Sequence, residues 1–173
     1  ACFVKIGGMG TLYLVRHGQA SFGAADYDQL SARGRQQSER LGAYWRERGL
    51  RFDAVLCGTL RRHAQTLDGI AQGLPGLPAP QVLPSLDEYD SLALIRAIHT
   101  EPLQKPNTPE LYRHHFRLLR DGLAAWMAGR VQPAGMPSYA EFRAGVIGAL
   151  DHVRQNFENE VLLVSSGGPI ATA

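Results

Sequence analysis

The chain has 173 residues, 45% of them hydrophobic and 20% charged, and its formal net charge is +2. This length corresponds to about one domain, and the composition excludes a disordered, collagen-like or disulfide-stapled chain. The basic residues are spread along the sequence, so we expect neither a nucleic-acid partner nor a membrane-bound form. Two cysteines without metal-ligand spacing indicate free thiols in a reducing compartment, so we expect a cytoplasmic location.

Short apolar runs alternate with amphipathic stretches along the chain, and this alternation predicts an α/β fold. Residues 1–10 are interpreted as an N-terminal extension or a short strand, with Met9 as a natural starting position. The apolar run Thr11–Arg16 predicts a buried strand. Ser31 is the expected N-cap of the first helix, which should end near Gly49.

The same alternation continues through the rest of the chain. Further strands are expected at Asp53–Cys57, Gln81–Leu83 and Val161–Ser165. Helices are expected over about Leu60–Ala71, over Leu92–His99, after Thr108 with Pro109 in the first turn, and after the capping box that opens at Ser138. A final helix should begin around the Gly-Gly pair that follows the last strand.

Polar and glycine-rich segments stand just beyond the predicted strands, where ligands bind in open α/β sheets. These segments are Arg16-His17-Gly18, Arg61-Arg62, Glu88 and Ser165-Ser166-Gly167-Gly168. Arginine forms bidentate contacts with phosphate oxygens, and backbone N–H groups at helix N-termini add to such a site. Neutral imidazole is a competent nucleophile, and nearby arginines favour its neutral form. The pattern therefore predicts a site for a phosphoryl group.

Several segments resemble, in order and spacing, those of the histidine phosphatase superfamily of phosphoglycerate-mutase-like proteins. The segment LVRHGQ at 14–19 resembles the family signature, which includes the RHG motif. Residues 30–37 (LSARGRQQ) resemble its first-helix pattern, and residues 60–66 (LRRHAQT) resemble its LxRAxQT segment. The acidic segment LDE at 86–88 and the late strand VLLVSSGG at 161–168 complete the resemblance, which runs from residue 11 to the end of the chain.

The resemblance implies a fold and a mechanism. The fold is a three-layer αβα sandwich with a mainly parallel sheet and a helical insertion over the active site. His17 would attack phosphorus and form a phosphohistidine, and Glu88 would protonate the leaving oxygen. The remaining site residues comprise phosphate ligands and one pocket residue: Arg16, Arg62, Ser166 and Gly167 would bind phosphate, and Gln19 would line the substrate pocket. No metal and no other cofactor is required, because arginine supplies the positive charge.

The sequence also departs from the family pattern. Ser166 stands where the family usually carries a second histidine that donates to the phosphoryl group, and losing one such donor typically costs about 10²–10³ in rate. Gly58 stands where a serine is usual, four residues before the position of Arg62. Ala20 and Gly23 replace a serine and an asparagine that are usual in mutases, and residues 89–91 (YDS) differ from the mutase pattern.

The leading hypothesis is a phosphatase that hydrolyses a small phosphomonoester. A phosphoglycerate mutase is the first alternative, and a degenerate phosphate-binding or regulatory protein is the second, because of Ser166. The sequence predicts no oligomeric state and no particular substrate. Residues 11–173 form the expected phosphatase-like domain, which we expect to lack its C-terminal part. Arg61 is expected to be solvated, and four histidines are expected to be surface or packing residues: His63, His99, His114 and His152.

Overall fold

The computed structural model describes residues 2–6, 10–21 and 27–173, with only the backbone described for residues 2–6. Two positions singled out in the sequence, Met9 and Gly23, lie outside the described residues. The chain divides into two compact units. The first comprises Ala1–Glu88 with Gly145–Ala173, and the second is Tyr89–Ala144.

The first unit contains a five-stranded sheet. Its strands are β1 (Cys2–Ile6), β2 (Gly10–Arg16), β3 (Ala54–Cys57), β4 (Gln81–Val82) and β5 (Glu160–Ser165). Their order across the sheet is β1-β2-β5-β3-β4, and only the β1–β2 pair is antiparallel. The prediction of a mainly parallel sheet is confirmed. The last strand in the chain, β5, lies between the first parallel strand and β3, so three strand ends from distant parts of the sequence meet at one edge.

Six α-helices are found in the described part of the chain. They are α1 (Ala32–Glu47), α2 (Arg61–Gly73), α3 (Ser91–Arg96), α4 (Pro109–Met127), α5 (Tyr139–Asn156) and α6 (Gly167–Thr172), with a 3₁₀ turn at Pro84–Leu86. The cap residues Ser31 and Thr108 accept hydrogen bonds from backbone N–H groups of the first turn, as the sequence predicts. Over the described ranges, none of these helices combines the length and the apolar character needed to cross a bilayer.

Helices cover both faces of the sheet. Side chains alternate along each strand, so each face presents apolar groups to a helical layer. On one face Val164 of β5 packs in a cluster with Trp45 of α1 and Ile70 of α2. On the other face Leu163 packs in a second cluster with Val153 of α5. All five of these side chains are buried. The three-layer αβα arrangement predicted from the resemblance is therefore confirmed.

The second unit is helical and has its own aromatic core. Trp126 of α4 is 1% exposed and lies among the rings of Tyr89, Tyr139 and Phe142. Its indole Nε1 donates a hydrogen bond to the carbonyl oxygen of Pro137 at 3.1 Å, so the one polar atom of the ring is satisfied. The segment after Glu88 thus forms a helical insertion with a core of its own.

Gly42 marks the close approach of α1 to α2. A Cβ atom at Gly42 would collide with the carbonyl oxygen of Ile70 and lie 3.0 Å from Cα of Gly73. We expect Gly42→Ala to lower the free energy of unfolding by about 1–3 kcal/mol, because backbone atoms cannot move aside cheaply. Gly148→Ala is the matched control, since this exposed position on α5 has open space around it. That variant should gain up to about 1 kcal/mol from helix propensity. Urea unfolding of both variants checks the prediction, and shifts in the same direction would contradict it.

Candidate active site

His17 lies directly after β2, at the carboxyl edge of the sheet. Its backbone N–H donates to the carbonyl oxygen of Ser165 at 2.9 Å, which ties the segment to the end of β5. Its ring Nδ1 lies 2.7 Å from the carbonyl oxygen of Gly18. A carbonyl oxygen only accepts hydrogen bonds, so this contact places the ring proton on Nδ1. The Nε2 atom therefore carries the free electron pair of the neutral ring.

Arg62 donates a hydrogen bond to the free electron pair of His17 Nε2. It stands at the start of α2 and is 7% exposed. Its Nε donates to His17 Nε2 at 3.2 Å, and its Nη1 donates to Asp28 Oδ1 at 2.9 Å. Burial raises the pKa of Asp28, but hydrogen bonds from the backbone of Arg61 and Arg62 and the guanidinium of Arg62 outweigh it and leave the pKa lowered. The ionised Asp28 therefore holds the guanidinium of Arg62 beside the imidazole.

The environment keeps His17 neutral. Burial lowers the pKa of His17 most, and the positive charges of Arg62 and Arg16 lower it further. Arg16 is exposed, and in the described part of the chain no acid pairs with its guanidinium. The site therefore combines a neutral imidazole with two cationic groups: the guanidinium of Arg62, held by Asp28, and the guanidinium of Arg16, exposed to solvent.

Glu88 is held at the turn between β5 and α6. Its two carboxylate oxygens accept from the backbone N–H of Gly168 at 3.0 and 3.1 Å. A Cβ atom at Gly167 would lie 3.7 Å from Glu88 Oε2 and 3.9 Å from Cζ of Arg16, so both charged groups lie beside Gly167. The structure thus brings Arg16, Glu88 and the Gly-Gly turn together, as well as His17 and Arg62.

An open pocket lies above this edge. It is lined by the segment Arg16–Ala20 together with Tyr27 and Gln37. Gln19, predicted as a pocket residue, accepts a hydrogen bond from the hydroxyl of Ser31 at 3.2 Å through its Oε1. Gln37 in turn accepts from the backbone N–H of Gln19 at 2.9 Å, so α1 orients this wall of the pocket.

Ser166 and His63 are buried next to each other at the candidate site. Ser166 was predicted to bind phosphate, but the residue has no exposed surface and its hydroxyl does not cap α6. Its Oγ lies instead 2.8 Å from Nε2 of His63, which is also fully buried. The ring centroids of His63 and His17 are 5.9 Å apart. Of the two positions expected for His63, surface or packing, the structure therefore shows the second, and it places the ring beside His17.

Three residues without a predicted role hold the site together: Thr66, Gln65 and Asp28. Thr66 Oγ1 accepts from the backbone N–H of Gly18 at 3.1 Å, and Gln65 Oε1 accepts from that of Leu30 at 2.8 Å. Both stand in the segment 60–66, whose resemblance to the family pattern was the available signal. Asp28, the partner of Arg62, carries no comparable signal in the sequence.

The buried imidazole of His63 predicts that stability depends on pH. Burial, together with the charge of Arg62, lowers the pKa of His63 to about 4. The unfolded chain takes up the proton near pH 6.5 and the folded chain does not, so stability is lost as the pH falls from 6.5 to 4. We expect His63 to account for a loss of about 3 kcal/mol in the free energy of unfolding. Urea unfolding of the parent, His63→Gln and His152→Gln across this pH range checks the prediction. The free energy of unfolding should depend less on pH in His63→Gln than in the parent, and His152→Gln should show the parental dependence. The same pH dependence in all three proteins would contradict the prediction.

Comparison with known proteins identifies the family of the chain and structures that share its fold. The sequence profile of the histidine phosphatase superfamily (branch 1) matches residues 12–173. The solved structure of an alpha-ribazole phosphatase from Shigella flexneri is similar, with 21% identity and a TM-score of 0.59 over 92% of this chain and 75% of that chain. A mycobacterial glucosyl-3-phosphoglycerate phosphatase has 20% identity and a TM-score of 0.61 over 92% and 77%. The protein YhfR from Bacillus stearothermophilus has 20% identity and a TM-score of 0.63 over 93% and 76%. At these identities the structures show a common fold, and no match was found among curated proteins.

Proposed function

Since the chain belongs to the histidine phosphatase superfamily, we propose that it is a phosphatase that hydrolyses a small phosphomonoester through a phosphohistidine at His17. The observation that carries this proposal is the state of the His17 ring. Its proton is held on Nδ1 by the carbonyl of Gly18, and its unprotonated Nε2 faces the Arg62 guanidinium at 3.2 Å. The proposed nucleophile, His17, and a cation that would attract a phosphoryl group, Arg62, are therefore in direct contact.

The first step transfers the phosphoryl group to the enzyme. His17 Nε2 gives its electron pair to phosphorus, and the bond from phosphorus to the ester oxygen breaks with its pair on that oxygen. Glu88 enters the step protonated and gives its proton to the leaving oxygen. Arg16 and Arg62 bind the non-bridging oxygens and stabilise their charge. The alcohol leaves, and His17 carries the phosphoryl group.

The second step returns the enzyme to its starting state. Glu88, now ionised, takes a proton from a water molecule as that water attacks phosphorus. The bond from phosphorus to Nε2 breaks, and the electron pair returns to the ring of His17. The product is inorganic phosphate. The Gly18 carbonyl holds the Nδ1 proton throughout, so the ring needs no change of tautomer.

The test is to trap the phosphoenzyme. The protein is mixed with radiolabelled phenyl phosphate, quenched in alkali, digested, and mapped by mass spectrometry. Phosphohistidine survives alkali and is lost in acid, whereas phosphoserine survives acid, so the label on His17 is distinguishable from a label on Ser166. We expect an acid-labile label on His17. Hydrolysis without this label would overturn the proposal, and phosphate binding with neither label nor hydrolysis would support the non-catalytic alternative.

A further inference from the structure

A buried hydrogen bond links two turns of the candidate site that lie far apart in the sequence. His63 Nε2 and Ser166 Oγ are 2.8 Å apart, and both residues have no exposed surface. His63 stands one residue after Arg62, in the first turn of α2. Ser166 stands one residue after the end of β5 and directly before the Gly-Gly turn. We call this pair the 63–166 brace.

We propose that His63 is a positioning residue that acts through Ser166, so that the 63–166 brace holds the acid Glu88 in register with His17 and Arg62. This inference rests on the proposed phosphatase function. One end of the brace adjoins Arg62, whose Nε reaches His17. The other end adjoins Gly168, whose backbone N–H holds both oxygens of Glu88. Within the described residues, these contacts form a continuous chain from the nucleophile to the acid.

The brace occupies a space that three positions share. A Cβ atom at Gly58 would lie 2.5 Å from Nδ1 and 2.8 Å from Cε1 of the His63 ring. Glycine at 58 therefore admits the ring, and the short side chain of Ser166 contacts its Nε2. A histidine at 166 would have to enter the volume that the His63 imidazole fills, because close-packed interiors hold no spare space of that size.

The charges around His63 suit a neutral brace. The groups that face the ring are Arg62, His17, Asp28 and Asp87, whose Oδ1 lies 3.9 Å from Nδ1. Asp87 is itself held by the backbone N–H and the hydroxyl of Thr59. A buried neutral imidazole adds a hydrogen bond without adding a third cation beside Arg62. The pair therefore fixes geometry and leaves the charge of the phosphate site to the two arginines.

The consequence of losing the brace is specific to the chemical step. Displacement of Gly168 moves Glu88, so kcat should fall more than KM rises. The fall should be larger for an alkyl phosphate than for 4-nitrophenyl phosphate, because only the alkoxide needs a proton from Glu88 to leave. A purely structural role would lower the amount of folded enzyme and affect both substrates equally.

The experiment compares four proteins: the parent, His63→Ala, Ser166→Ala, and the double variant. We expect each single substitution to lower kcat for an alkyl phosphate by about tenfold to a hundredfold, the range expected for directly coupled neighbours. The double variant should lose little more than either single variant, because each single substitution already removes the hydrogen bond between the two side chains. Thermal unfolding of each protein monitors folding, and His152→Ala on α5 serves as the control for a histidine away from the brace.

The outcomes separate the brace from the function on which it rests. If the parent forms phosphohistidine and the two losses simply multiply in the double variant, the brace is wrong and the phosphatase proposal stands. Equal losses with alkyl and 4-nitrophenyl phosphate would also overturn the positioning role. If the parent forms no phosphoenzyme, the function fails. In that case the brace is judged by unfolding free energies, and independent losses of stability would refute it.

Discussion

Replacing His17 by alanine is expected to lower kcat for phosphomonoester hydrolysis by at least about 10⁴-fold. The proposed mechanism makes His17 the covalent nucleophile, and loss of such a group removes most of an enzyme's rate enhancement. The other nearby imidazole, that of His63, is fully buried and bonded to Ser166. The measurement is kcat for phenyl phosphate. Because His17 is half-buried, circular dichroism of the variant checks that the substitution leaves the fold intact.

The matched control for this prediction is His152→Ala. His152 lies on α5, where its ring meets Gln81 Oε1 at 3.0 Å and Asn156, away from the phosphate site. We expect its kcat to stay within about threefold of the parent, as for a surface position outside the site. A His17→Ala protein that keeps a tenth or more of the parental kcat would show that the nucleophile is another group.

Arg62→Ala is expected to lower kcat by about 10³-fold, the range seen when an arginine that stabilises phosphoryl transfer is removed. The guanidinium is held by Asp28 at 2.9 Å and by His17 Nε2 at 3.2 Å, so it is in place before substrate arrives. Arg62→Lys keeps the charge but loses the planar fork that contacts two phosphate oxygens at once. We therefore expect an intermediate kcat for the lysine variant.

The neighbouring arginine provides the comparison. Arg61 donates from Nε to the carbonyl oxygen of Asp28 and from Nη2 to Gln29 Oε1, at the edge of the first unit and not towards His17. Arg61→Ala should keep kcat within about threefold of the parent. Inhibition by inorganic phosphate, measured on the same proteins, separates lost binding from lost catalysis. Equal effects of the two substitutions would show that Arg62 contributes only general positive charge.

Much of the architecture could be predicted from local sequence patterns. The buried strand β2, the cap at Ser31, the Thr108-Pro109 helix start and the final Gly-Gly turn all stand where short-range signals place them. These features depend on periodicity, capping and backbone conformation, which are properties of neighbouring residues. The residues of the candidate site were also predictable as a set, because the carboxyl ends of parallel strands share one edge of a sheet.

The sequence by itself therefore determined the elements, the parallel sheet and the grouping of Arg16, His17, Arg62 and Glu88 near one edge. Tertiary structure alone decided which side chains meet there. The insertion of β5 between β2 and β3 brings Ser166 to His63, although 103 residues separate them. The same packing buries His63, and no sequence pattern around His63 predicts this burial. Hydrogen bonds between buried groups depend on distances that only the folded backbone sets. No local sequence pattern therefore predicts them.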